Sequence, residues 1–140
     1  MPCAFCVLQK DHPEKIIREG EYVFAILSDP HLMKGHALVI PKRHVEKLSE
    51  LSKDERDELM DEVVKIEEKL LTKAPGADIS QHYRPFLPES PLKVNHLHMH
   101  IRPRELNDEF YEKVQVAEKD IFVPLTDEER LEYGELLKDI

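Results

Sequence analysis

Residues 94–101 read Val-Asn-His-Leu-His-Met-His-Ile, so three histidines recur at every second position with apolar side chains between them. Two is the period of a β-strand, and we predict a strand with its imidazoles on one face and its apolar side chains on the other. The apolar face is expected to pack on a core. The histidine face needs another explanation, because each buried ring brings a donor and an acceptor that require partners.

Strand geometry limits what the three rings can do together. Residues two apart on a strand lie roughly 6.6 Å apart, and His96 and His100 lie roughly 13 Å apart. Zinc–nitrogen bonds are only about 2.1 Å long. A straight strand therefore cannot bring His96 and His100 to one metal ion, although a neighbouring pair could share one. We expect the rings to have distinct roles; the alternative is that they only satisfy one another on a half-buried face.

The composition is that of one globular domain. The chain has 140 residues, of which 41% are hydrophobic and 35% charged, and this length suffices for a core of its own. No apolar run reaches the roughly 18 residues of a membrane span and no signal peptide is recognisable, so we expect a cytoplasmic protein without membrane contact. The formal net charge of -9 argues against a nucleic-acid partner.

Two cysteines, Cys3 and Cys6, stand three positions apart at the start of the chain. This spacing supplies half of a tetrahedral zinc site, and two more ligands would be needed. Two alternatives stay open. A redox pair normally follows a strand and opens a helix, and no strand precedes this one. The thiols could also be inert.

The rest of the chain predicts an antiparallel α+β domain. Strands are expected over 21–27, with a hairpin from Ile16-Ile17 through Gly20, and over 36–40 and 79–83. Ser52 to Glu55 forms a capping box that opens one long helix, which Pro75-Gly76 ends. That helix carries an apolar stripe, and a second capping box at 126–129 opens a C-terminal helix. The stripe consists of Leu59, Val63, Ile66 and Leu70.

Residues 96–101 resemble the motif of the histidine triad (HIT) family, in which three histidines alternate with apolar residues. Residues 35–42 are similar to the family's other signature segment, and residues 102–104 are similar to what often follows the triad. The two cysteines resemble the pair that opens many bacterial members. The resemblance covers about residues 2–104 and implies a HIT-like antiparallel sheet. We accordingly expect one domain over 1–140, with an acidic C-terminal extension from about residue 105.

The resemblance implies a nucleotide hydrolase or nucleotidyl transferase. His98, at the middle position, would attack the α-phosphate of a nucleotide conjugate and form a nucleotidyl-histidine intermediate. His100 could donate to a phosphate oxygen or to the leaving group, and His36 could orient His100. This scheme requires no catalytic metal. The family likeness also completes the zinc site with His44 and His96, and it implies a homodimer that acts on a small nucleotide substrate.

Nucleotide contacts are expected from both matching and departing residues. Asp29 fits the acidic residue that holds ribose hydroxyls, and Phe5 and Leu8 match positions that wall the base. Asp29 could instead start a turn before proline, and the two apolar residues could simply be core. Where the family commonly has Gly-Gln-Ser/Thr, this chain has Pro-Leu-Lys at 91–93. Phosphate recognition would then be rebuilt around three residues that could otherwise be ordinary surface groups: Arg84, Ser90 and Lys93.

Two other classes of function compete with this interpretation. The histidines could hold a catalytic metal in a hydrolase of another kind, which would need a further carboxylate or histidine beside the triad. The domain could also bind nucleotides without turnover and regulate a partner. Candidate substrates in the favoured class are diadenosine polyphosphates and nucleoside phosphoramidates, and the motifs do not choose between them.

Overall fold

The computed structural model describes residues 2–114 and 118–140. By its internal contacts the chain divides into two compact units, one ending at Phe110 and the other beginning at Tyr111. The prediction of a single domain over 1–140 stays a prediction. Within the described residues, no helix combines the length and apolarity that crossing a membrane would require.

The first unit contains an antiparallel sheet of five strands in the order β1-β2-β3-β5-β4 within the described residues. Each neighbouring pair is antiparallel, and the first two strands form the hairpin expected around Gly20, whose N–H donates to the Val23 carbonyl at 2.8 Å. This confirms the α+β prediction. The strands are β1 (Ile16–Glu19), β2 (Val23–Leu27), β3 (Ala37–Pro41), β4 (Gly76–Gln81) and β5 (Met99–Arg104).

One face of the sheet packs against a long helix. The α-helices of the described residues are α1 (Ala4–Asp11), α2 (Lys53–Leu70), α3 (Glu109–Val114) and α4 (Asp127–Lys138). Helix α2 begins at the predicted capping box: the Ser52 hydroxyl accepts from the Glu55 N–H, and the Glu55 carboxylate accepts from the Ser52 N–H. Its apolar stripe forms one core cluster with Leu97, Met99 and Ile101, although Leu70, the last residue of the stripe, is only partly buried. The apolar side of the triad segment is therefore core, as predicted.

The opposite face of the sheet carries a second, smaller core. Phe24, Ile26, Leu38 and Ile40 project there from β2 and β3 and contact Phe5 of α1. Helix α1 was not predicted, because it is short and because its first residues were interpreted only as the spacing between the two cysteines. It covers one end of this face, and the other end stays open.

The triad strand begins five residues later than predicted. Strand β5 starts at Met99, not at Val94, and His96 and His98 precede it. Two residues beyond the pair Val39↔Met99, the same register would place Leu97 opposite Pro41. Proline has no N–H to donate to a ladder. Leu97 N–H instead donates to the Val45 carbonyl at 2.7 Å. The proline that ends β3 therefore also ends its pairing with the triad segment.

Two other boundaries differ from the sequence prediction. Strand β4 covers Gly76–Gln81 rather than 79–83, because its pairing with β5 runs from Gly76↔Arg104 to Gln81↔Met99. A glycine that was expected only to end a helix thus starts a strand. In the second unit, α4 begins as predicted, with the Thr126 hydroxyl accepting from the Glu129 N–H at 3.1 Å.

Candidate functional site

A cleft of about 1090 Å³ opens on the sheet face opposite α2. Its walls come from α1, from the loop after β2 and from the segment that leads into β5. Four cationic side chains and two carboxylates line it, together with the rings of His36, His98 and His100. The charged groups are Lys15, Arg84, Lys93, Arg102, Asp29 and Glu46. The cleft is therefore net basic in a chain whose formal charge is -9.

The hydrogen bond of His98 defines which of its nitrogens can react. Nδ1 lies 2.7 Å from the His96 carbonyl oxygen, and a carbonyl can only accept, so Nδ1 carries the proton. Nε2 is then the bare nitrogen with a lone pair. The half-buried ring meets Phe5 edge-on, with ring centroids 5.1 Å apart. The backbone and Phe5 together fix both the tautomer and the orientation of His98.

A second chain of hydrogen bonds fixes His36 and His100. The Leu32 N–H donates to His36 Nδ1 at 3.3 Å, so the proton of His36 sits on Nε2. That nitrogen lies 2.9 Å from His100 Nδ1 and donates to it. His100 must then carry its own proton on Nε2. The Leu32 N–H thus sets the proton positions on both rings and leaves His100 with a donor nitrogen facing the cleft. His98, whose tautomer is set by the His96 carbonyl, keeps a free acceptor nitrogen.

Burial keeps these rings neutral. Burial is the main cause that lowers the pKa of His36 to about 4 and that of His100 to about 3, and it also lowers the pKa of His98. Neighbouring cations and rings add to the effect; for His36 and His100 both, these include Arg102. A neutral imidazole is the form that can act as a nucleophile, so the lowered pKa values suit the tautomers derived from the hydrogen bonds.

Glycine at position 35 is required for this arrangement. Its φ of +84° is a left-handed conformation, and a Cβ there would lie 3.0 Å from the Pro103 ring. Gly35 thereby lets the chain turn into β3 directly before His36, which is 3% exposed. The predicted signature segment 35–42 therefore combines a turn, a buried ring and a strand.

The first triad histidine belongs to a different cluster. Cys3, Cys6, His44 and His96 place one ligand atom each within 4.8 Å of all the others. His96 Nδ1 lies 3.3 Å from Cys3 Sγ and 3.6 Å from Cys6 Sγ, and His44 Nδ1 lies 3.7 Å from Cys6 Sγ. A tetrahedral zinc ion with usual bond lengths separates sulfur from nitrogen by about 3.6 Å. The four residues therefore fit a zinc ion in both chemistry and spacing.

The surroundings of His96 support metal binding. Its Nε2 lies 2.7 Å from the Pro41 carbonyl oxygen, so Nε2 carries the proton and Nδ1 faces the thiols with its lone pair free. Metal-binding histidines characteristically donate their other ring N–H to such an acceptor. Burial lowers the pKa of His96 to about 4, against the opposing effect of the Pro41 carbonyl, which keeps the ring in the neutral form that ligates.

Five of the six predicted nucleotide contacts line the cleft. Phe5, Leu8, Asp29, Arg84 and Lys93 do so, and Ser90 is not among the lining residues. The Ser90 hydroxyl accepts from the Leu92 N–H at 3.2 Å and so holds its own turn. Phe5 is also part of the second core, and Leu8 packs against it. The core interpretation therefore holds for Phe5, and contact of either residue with a base stays a prediction.

Lys93 is less free than the sequence suggested. Its ammonium donates to the Leu87 carbonyl at 3.0 Å and to the Asn95 side-chain oxygen. These bonds fasten Lys93 to the proline-rich loop 85–91 and to the start of the triad segment. A role in phosphate binding stays a prediction for Lys93, for Arg84 and for Ser90.

Among the cleft residues that the sequence analysis missed, two lie beside His100. His82 stacks on His100, with ring centroids 5.0 Å apart and planes inclined by 29°. Arg102 follows His100 by two positions on β5, so the period-two pattern that identified the triad extends to it and could have revealed it. No sequence signal identified His82, because it lies after β4 and meets the triad only through the fold.

Comparison with known proteins agrees with this geometry. The sequence model of the HIT domain family matches residues 9–107. The adenosine 5'-monophosphoramidase of Schizosaccharomyces pombe is 34% identical over 114 residues, which cover 79% of each chain.

Solved structures show the same fold. A HIT family protein from Bacillus subtilis superposes with a TM-score of 0.75 at 27% identity, covering 99% of this chain and 96% of the other. A zinc-bound histidine triad family protein from Mycobacterium smegmatis superposes with a TM-score of 0.57 at 26% identity, covering 79% of this chain and 80% of the other.

Proposed function

Because the chain belongs to the HIT domain family, we propose that it hydrolyses nucleotide conjugates at the α-phosphate, with His98 as the nucleophile. It is an enzyme of that family, and a relative at 34% identity is named a phosphoramidase. The observation that carries the proposal is the hydrogen bond from His98 Nδ1 to the His96 carbonyl. It leaves Nε2 unprotonated, half-buried and on the wall of a basic cleft.

The first step forms a bond between His98 Nε2 and phosphorus while the bond from phosphorus to the leaving group breaks. The leaving group departs with the bonding electron pair. His98 then carries both the nucleotidyl group on Nε2 and a proton on Nδ1, so the ring is cationic. The His96 carbonyl, 2.7 Å from Nδ1, accepts that proton's hydrogen bond and stabilises the charge.

The second step uses water. Its oxygen bonds to phosphorus, and the electron pair of the nitrogen–phosphorus bond returns to His98. In total, water supplies hydroxide to phosphorus and a proton to the leaving group. Dividing one displacement into two in this way is the advantage of covalent catalysis.

His100 and His36 support these steps. His100 Nε2–H is the donor left by the hydrogen-bond chain, and its ring centroid lies 4.8 Å from that of His98. It therefore donates to the leaving atom or to a phosphate oxygen as negative charge develops there. His36 is a positioning residue, since its bond to His100 Nδ1 keeps that proton on the side facing the substrate.

Cys3, Cys6, His44 and His96 would hold a structural zinc ion. Bound there, zinc would cross-link α1, the loop after β3 and the segment before β5, and it would supply rigidity rather than reactivity. His98 follows His96 by two positions and bonds to its carbonyl, so a fixed His96 also fixes the nucleophile. The chemistry needs no metal step.

The chain is also proposed to form a homodimer. Strand β4 lies at an edge of the sheet, where unpaired backbone groups invite another strand. Exposed apolar side chains lie on β4 and on α2: Ile79, Met60 and Val64. Light scattering coupled to size-exclusion chromatography should give twice the 16.4 kDa chain mass; a monomer at micromolar concentration would contradict the proposal.

One experiment tests the proposed chemistry. The purified protein is incubated with adenosine 5'-phosphoramidate and diadenosine polyphosphates, and release of adenosine 5'-monophosphate is followed in wild type and His98→Ala. Acid quenching during turnover with labelled substrate should attach nucleotide to wild type only. Binding without release in wild type would favour a regulatory module. Undiminished turnover by His98→Ala, lost only with a chelator, would favour a metal-dependent hydrolase.

A further inference from the structure

Arg102 is a cation in the cleft whose Nε has no hydrogen-bond partner among the described residues. It is half-buried, and within residues 2–114 and 118–140 three buried side-chain atoms have no hydrogen-bond partner: Ser80 Oγ, Gln81 Nε2 and Arg102 Nε. Of these three residues only Arg102 lines the cleft. An unsatisfied buried donor is costly, and more so when it is charged. A bound anion would remove that cost.

The neighbouring carboxylate, that of Asp78, bonds to Arg104 and not to Arg102. Asp78 is its register partner on β4, but the Asp78 carboxylate accepts from Arg104 Nη1 at 2.6 Å. Arg104 in turn has a second partner in Asp108. The two arginines therefore differ: two carboxylates bond to Arg104, whereas no carboxylate in the described part of the chain bonds to Arg102.

Charges of both signs act on Arg102, and the negative one, Asp78, is bonded to Arg104. Burial is the main cause that lowers the pKa of Arg102; the charges of Arg104 and Arg84 add to this, and Asp78 opposes it. Arg84 lines the same cleft and contributes to the lowered pKa of His82, the ring stacked on His100. Two like charges beside one wall of a cleft form a field that attracts an anion.

The position of Arg102 indicates which part of a substrate would meet it. His98 and His100 precede Arg102 in the chain, each two residues from the next, and His100 and Arg102 lie on the same face of β5, roughly 6.6 Å apart. With the side chains in this order, a phosphate attacked by His98 and an anion held by Arg102 would lie on opposite sides of His100. Where His100 donates to the leaving atom, one of its two acceptors in the proposed function, the group beyond His100 is the leaving group.

We propose that Arg102, with Arg84 beside it, forms a second anion subsite that takes a phosphate of the leaving group. This inference rests on the proposed function and names its substrate class: conjugates in which the nucleotide is joined to further phosphate, such as dinucleoside polyphosphates. A phosphoramidate with an uncharged amine as leaving group would be bound without help from Arg102.

The test compares two substrates in three proteins. Wild type, Arg102→Gln and the control Lys53→Gln are assayed with diadenosine triphosphate and with adenosine 5'-phosphoramidate. Lys53 is an exposed residue of α2 that pairs with Asp57, so its substitution removes the same formal charge away from the cleft. Loss of a charged hydrogen bond should lower kcat/KM of Arg102→Gln for diadenosine triphosphate by about tenfold or more. The phosphoramidate value and both Lys53→Gln values should stay within about twofold of wild type.

Each result has a definite meaning. Equal losses for both substrates in Arg102→Gln, no loss for either, or a wild type that cleaves only the phosphoramidate overturns the subsite and leaves the proposed function standing. A wild type that cleaves neither overturns both.

A second measurement covers the case in which Arg102→Gln does not fold. Inorganic tripolyphosphate should inhibit phosphoramidate hydrolysis by wild type competitively, and Arg102→Lys, which keeps the charge but loses the planar fork, should be inhibited less strongly. Absence of inhibition in wild type, or equal inhibition of the two proteins, overturns the subsite.

Discussion

The two ends of the triad segment contain the same residue type and do different work. At one end His96 is 1% exposed and faces two thiols, with its outer nitrogen bonded to the Pro41 carbonyl. At the other end His100 accepts from His36 and presents a donor to an open cleft. Between them His98 uses the backbone of His96 as its acceptor. A neutral imidazole has one donor and one acceptor, and the partner of one nitrogen decides the use of the other.

This comparison predicts that substitutions in the zinc cluster and in the catalytic rings have different effects. The largest difference should appear in the free energy of unfolding. Cys3→Ser removes a proposed zinc ligand and should lower the free energy of unfolding by several kcal/mol, because metal affinity contributes to folding. His98→Ala should change it by less than about 1 kcal/mol, since the ring is half-buried and faces a cleft. Chemical denaturation of both variants, with zinc content measured beside it, checks the prediction.

Similar losses of stability in the two variants would contradict the division into a structural and a catalytic end. So would wild-type protein, prepared without chelator, that contains no zinc. In that case the four-residue cluster would be a set of hydrogen-bonded side chains, and His96 would need another explanation.

The sequence was sufficient to predict which side chains of the triad segment are buried, but not where the strand begins. Period-two spacing predicts which side chains are core and which face the cleft, and Leu97 and Ile101 confirm it. Spacing cannot show that Pro41 interrupts the ladder before Leu97, because that depends on which strands pair and in what register. His82 likewise meets His100 only through tertiary packing.

The site shows the same limit. Strand spacing alone excluded a metal ion bound by both His96 and His100, since the two residues lie too far apart. Which nitrogen of each ring carries the proton is set by the Leu32 N–H and by two backbone carbonyls. Backbone groups are the same at every position of a sequence, so only the fold reveals these partners.

The next prediction concerns the catalytic end alone. His36→Leu removes the donor to His100 Nδ1, which frees the His100 proton to move to that nitrogen and away from the substrate. We expect kcat to fall by about 10- to 100-fold with little change in KM, the range typical of a lost acid–base contribution. His36→Gln, whose amide can still donate, should recover part of the rate. Zinc content should not change in either variant.

Steady-state kinetics and metal analysis of the same preparations check this prediction. Equal kcat values for His36→Leu and wild type would show that His100 does not depend on His36 for its tautomer. A fall for His36→Gln as large as that for His36→Leu would show that the ring fills space rather than donating.

The smallest expected effect is on the zinc end, and it depends on pH. Glu55, 6% exposed, accepts from Arg43 Nη2 at 2.8 Å and so holds the residue that precedes His44. Bonds from Arg43, then from the Ser52 backbone, lower the pKa of Glu55 to about 2, from 4.5.

A carboxyl whose pKa is lower in the folded state stabilises the fold fully above pH 4.5 and loses that contribution as the pH falls toward about 2. Glu55→Gln should therefore be less stable than wild type by roughly 1–3 kcal/mol at pH 7, with the difference shrinking below pH 4.5. Thermal denaturation of both proteins from pH 7 to pH 3 measures it, and a difference that is constant with pH would show that Glu55 acts by packing and not by charge. Turnover at pH 7 should be nearly unchanged, because Arg43 supports the loop of His44 and not the rings of the cleft.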